Sequence, residues 1–70
     1  MSQKRRVARA WRVDVLRAEK EIGALQGSLD EAYANFNGTT DPDNLEACVH
    51  EISALRSRYN AALKHYRNKF

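Results

Sequence analysis

Seventy residues, 30% of them charged and carrying a formal net charge of +3, bound the chain to one small domain, near the size at which a single core is marginal. No apolar run approaches the length of a membrane span or of a signal-peptide core. Cys48 stands alone, which excludes an internal disulfide and fits a reducing cytoplasm.

In chain order, the first element reads as a helix over about residues 3–36. Its apolar positions step by three and four through Ala8, Trp11, Val15, Ala18, Ile22, Leu25, Leu29, Ala32 and Phe36, the seam of a heptad repeat. Val13 and Leu16 fall on the side away from that seam. Gly23 and Gly27 sit one turn apart in mid-helix, where each costs about 1 kcal/mol against alanine. Together these four mark a second contact face, with tolerated sequence drift as the alternative.

Residues 37–41 form the turn. Gly38 ends the first helix, since glycine accepts the left-handed conformation a helix C-terminus commonly needs. Asp41 is the N-cap of the second helix. Pro42 follows at the first helical position, where its missing N–H costs nothing and its ring holds Asp41 extended. Asp43 and Glu46 add negative charge to the first turn.

The second helix covers about 42–69. Leu45, Cys48, Ile52, Leu55, Tyr59, Ala62 and Tyr66 continue the stepping, widened at the e positions by Val49, Leu63 and Phe70. Folding back at the turn pairs residues whose numbers sum to about 81, so Leu29 faces Ile52, Ala18 faces Ala62, and Trp11 meets Phe70 at the far end. The paired rod is about 40–45 Å long, with residues 1–10 overhanging. Tyr59 and Arg58 are expected to reach Glu19 or Glu21. The fold is therefore an all-α, coiled-coil-like antiparallel two-helix hairpin spanning 1–70. A lone hairpin leaves each seam half wet, so a partner is expected: a second copy completing a four-helix bundle, or another protein.

Charge is unevenly spread. Residues 1–12 hold Lys4, Arg5, Arg6, Arg9 and Arg12 and no acid; residues 52–70 hold Arg56, Arg58, Lys64, Arg67 and Lys69 and no acid. The nine acids and the remaining Arg17 and Lys20 lie between. Folding brings the two basic stretches to one end. That end binds phosphates of a nucleic acid, docks on an acidic protein or on the acidic turn half of a second copy, or is a solvated tip. Apolar and polar residues are poorly segregated before Trp11, which argues against a membrane surface.

Catalytic and metal motifs fail. His50-Glu51 opens like a zinc-protease helix, but Ala54 stands where the second histidine belongs. Asp41, Asp43 and Glu46 lack the length and central glycine of a calcium loop. The expectation is a binding module, with no enzyme activity, cofactor, metal or small-molecule substrate.

Phe36, Thr40-Asp41-Pro42-Asp43, Glu51, Ala54, Arg58-Tyr59 and Leu63 together give the second half of the chain a resemblance to the YaaL-like family, short proteins of Gram-positive bacteria whose function is unknown. The resemblance implies a small cytoplasmic helical protein. It brings no catalytic or binding residues to carry over; the first helix matches only in being amphipathic and ending near an aromatic residue, and its basic start is not anchored to the family pattern.

Overall fold

A computed structural model describes the backbone from Gln3 to Phe70 and the side chains from Val7 onward. Two helices make up the fold, α1 (Gln3–Gly38) and α2 (Pro42–Lys69), folded back on one another as an all-α hairpin. Its extents are 61 × 17 × 12 Å. The long dimension exceeds the 40–45 Å expected of the paired section because α1 runs on past Phe70. The radius of gyration of 17.3 Å is well above the roughly 11 Å of a compact domain of this length.

The turn is tighter than the sequence suggests. α1 continues to Gly38 rather than stopping at 36, and no described residue, Gly38 included, has positive φ. The left-handed C-cap expected of Gly38 is therefore absent. Reversal is confined to residues 39–41. Asp41 sits at φ −75°, ψ 122°, the extended backbone that Pro42 imposes on its predecessor. Its carboxylate accepts from the Asp43 N–H at 3.1 Å, and its carbonyl accepts from the Leu45 N–H at 2.9 Å. The Thr39 hydroxyl oxygen accepts from the Asp41 N–H at 3.3 Å, closing the turn from the other side. Of the acids expected in the first turn of α2, Asp43 lies there, while Glu46 sits beyond it and pairs with His50 at 3.7 Å.

The core is narrow. Among the described residues, Leu29, Ala32 and Ile52 are buried, and Phe36, Leu55 and Tyr59 pack against them. All six belong to the expected seam, and Leu29 and Ile52 are partners in the expected register. Toward the termini the seam residues are at most half-buried. No described helix is long and apolar enough to cross a membrane.

Candidate interaction surface

At the end opposite the turn the expected aromatic closure is present. The Trp11 and Phe70 rings meet edge to face, with centroids 5.9 Å apart and planes at 77°. Tyr66 stacks at a tilt on Phe70, 5.2 Å away. The Lys69 ammonium lies 5.5 Å from the Phe70 centroid and 3.7 Å from an Asp14 carboxylate oxygen, so one lysine caps the ring and ties the two helices. Trp11 remains 53% exposed. Helical side chains lean toward their own N-terminus, and for Trp11 that direction points past the end of α2.

The same lean corrects one expectation. Tyr66, not Tyr59, donates its hydroxyl to Glu19, at 3.3 Å. Tyr66 leans toward the turn and Glu19 away from it, so from their register positions the two converge. Tyr59 and Glu19 diverge, and Tyr59 packs on the Leu29–Ile52 core instead. Arg58 and Glu21 diverge likewise: among the described residues they form no ion pair, and they stand on either side of an open groove of about 370 Å³ floored by Ala18, Leu25 and Ala62. Desolvation raises the pKa of the Tyr66 phenol above its ordinary value, and the Glu19 carboxylate adds to the rise through its charge and its hydrogen bond.

Folding redistributes the charge relative to the linear sequence. Asp14, Glu19 and Glu21 lie beside the last turns of α2, not in the turn half. Cutting the hairpin across its middle, at Leu25 and Arg56, leaves all twelve lysines and arginines and three acids in the terminal half, a net +9. The turn half, residues 26–55, holds six acids and neither lysine nor arginine, a net −6.

Arg9, Arg12, Arg67 and Lys69 are all exposed on the terminal half. Lys4, Arg5 and Arg6 begin α1, with side chains outside the described residues. Val13 and Leu16 are exposed, at 40% and 65%, on the outer side of α1. A methyl group added at Gly23 or Gly27 would meet nothing within 4 Å, so neither glycine is needed for packing within the hairpin. Sequence reasoning passed over Thr39 and Tyr33. A threonine two residues before the cap was a signal for the first. For Tyr33, 41% exposed, the e position it holds on α1 was the signal.

Among the described residues no group of three or more histidine, cysteine or carboxylate side chains is placed to hold a metal ion. The Cys48 thiol is half-buried and free. No protein-family model, no curated protein and no solved structure matches the chain.

Proposed function

We propose that the protein is a non-catalytic helical assembly module of the cytoplasm that associates through its hairpin with a second copy or with another protein. The observation that carries this is the mismatch between seam and burial. Among the described residues three are buried, while Trp11 in the seam, Val49 and Tyr33 beside it and Leu16 on the outer side of α1 remain between 41% and 65% exposed, a distribution suited to a bundle of more than two helices. Assembly of this kind needs neither cofactor nor small-molecule substrate. The likeness of Phe36 through Leu63 to the YaaL-like proteins belongs to the same proposal and adds no partner to it.

Sedimentation at micromolar concentration tests it. The expected result is a species heavier than the 8.0 kDa chain, and a folded monomer at all concentrations contradicts self-association.

A second reading rests on the terminal half, where all twelve cations gather: the hairpin binds nucleic acid through its backbone phosphates. Affinity would then fall steeply with salt, with a log–log slope of several units if five or more phosphates are engaged, about 0.9 per phosphate for duplex DNA. Undetectable binding at low salt removes this reading.

A further inference from the structure

The two flanks of the seam are chemically different. In an antiparallel pair, the g positions of both helices line one flank and the e positions the other. The g flank carries Asp14, Glu21 and Ser28 from α1 and Glu51, Arg58 and His65 from α2, all polar. The e flank mixes polar Arg12, Glu19, Gln26 and Arg56 with apolar side chains; among the latter, Tyr33 and Val49 occupy facing positions near the turn, both more than 40% exposed. Beyond the exposed Arg56, the half-buried Leu63 and Phe70 add apolar surface from α2 toward the exposed Trp11.

We propose that the e flank is covered by a second copy of this chain turned end for end, so that the turn half of each hairpin lies over the terminal half of the other. This rests on the assembly reading above and specifies its partner, face and orientation. Charge selects the orientation. An end-for-end copy sets each −6 half against a +9 half, whereas a copy facing the same way sets +9 beside +9. Surface area supports the partner. The hairpin exposes 5830 Å², roughly 1,400 Å² more than a compact 8.0 kDa protein, and a standard interface needs about 800 Å² from each side. The dyad falls at the level of Arg56, which lies beside its own copy as the like-charge pair of the arrangement.

The test combines sedimentation with distances between spin labels, in full-length protein carrying Cys48→Ser and a label at Asn44→Cys. An end-for-end dimer separates the two labels by about 35–40 Å along the axis, given the ~1.5 Å helical rise; a same-way dimer brings them within about 20 Å. Val49→Arg puts a charge into the apolar contact of the e flank, facing Leu63 of the partner subunit, and should weaken the dimer at least tenfold. Asn35→Arg, the same charge on the g flank about one helical turn nearer the loop, should weaken it less than threefold. Circular dichroism confirms that both variants stay helical. Arg56→Leu should tighten the dimer several-fold, and raising salt from 50 to 500 mM should loosen it.

Monomer throughout overturns this proposal together with the self-association beneath it. A dimer with short label distances, or one that salt strengthens, leaves association standing and overturns the orientation. Equal effects of Val49→Arg and Asn35→Arg overturn the choice of face, and unchanged affinity of Arg56→Leu overturns the placement of the dyad.

Discussion

The turn half and the terminal half of this hairpin are built from one heptad repeat, yet they are held together differently. The turn half contains the buried residues, Leu29, Ala32 and Ile52, and a capped reversal at Asp41. The terminal half is joined by exposed contacts: an edge-to-face ring pair, a lysine–aspartate pair and a tyrosine–glutamate hydrogen bond. A shared period therefore does not give shared burial. Near the turn, chain connectivity and the cap hold the helices in register. At the far end, side chains that lean along their helices point past each other or into solvent, and the half with the weaker core also carries the like charges.

The largest expected effect tests the core directly. Ile52→Ala should cost about 2–4 kcal/mol, read by thermal or urea unfolding followed by circular dichroism, whereas Trp11→Ala, removing a half-exposed ring pair, should cost about 1 kcal/mol. Equal losses would erase the difference between the halves. Asp41→Ala should cost about 1 kcal/mol by removing the cap, and Asp41→Asn should restore most of it.

These two sites also mark what was legible in advance. Asp41-Pro42 announced both the cap and the reversal, because the proline constrains its predecessor whatever the rest of the fold does. The pairing of Leu29 with Ile52 and of Trp11 with Phe70 followed from period and turn position. The polar links did not follow, since Tyr59 and Tyr66 share a heptad position and differ only in which acid their lean brings within reach. The left-handed Gly38 was a statistical expectation that the Thr39 and Asp41 side-chain bonds made unnecessary. The acids Asp14, Glu19 and Glu21 looked central along the chain and proved to lie within the basic half, because α1 is the longer helix and its middle pairs with the end of α2.

Gly27→Ala sharpens the comparison with the opposite sign. Open space around Gly27 predicts a gain of about 1 kcal/mol in hairpin stability. If the outer face of α1 also packs closely on a partner, the same change weakens assembly while helicity rises, so unfolding and sedimentation must be measured together.

The smallest effects belong to the polar links. Asp14→Asn removes an ion pair whose two side chains are nearly half exposed, and should cost less than about 0.5 kcal/mol, vanishing in high salt. Tyr66→Phe should have a similarly small effect near neutral pH. Because the folded state holds the Tyr66 proton more tightly than the unfolded chain does, its contribution is complete below the ordinary tyrosine range and is lost as pH rises through it. Tyr66→Phe should remove that alkaline component of the stability profile.

Amide hydrogen exchange, followed residue by residue at several protein concentrations, tests most directly the claim that the turn half stands alone and the terminal half needs covering. The account predicts strong protection around Leu29, Ala32 and Ile52 even in dilute protein, with weak protection near Trp11, Val15 and Tyr66 that climbs as concentration rises. Protection that is uniform along both helices and independent of concentration would contradict it.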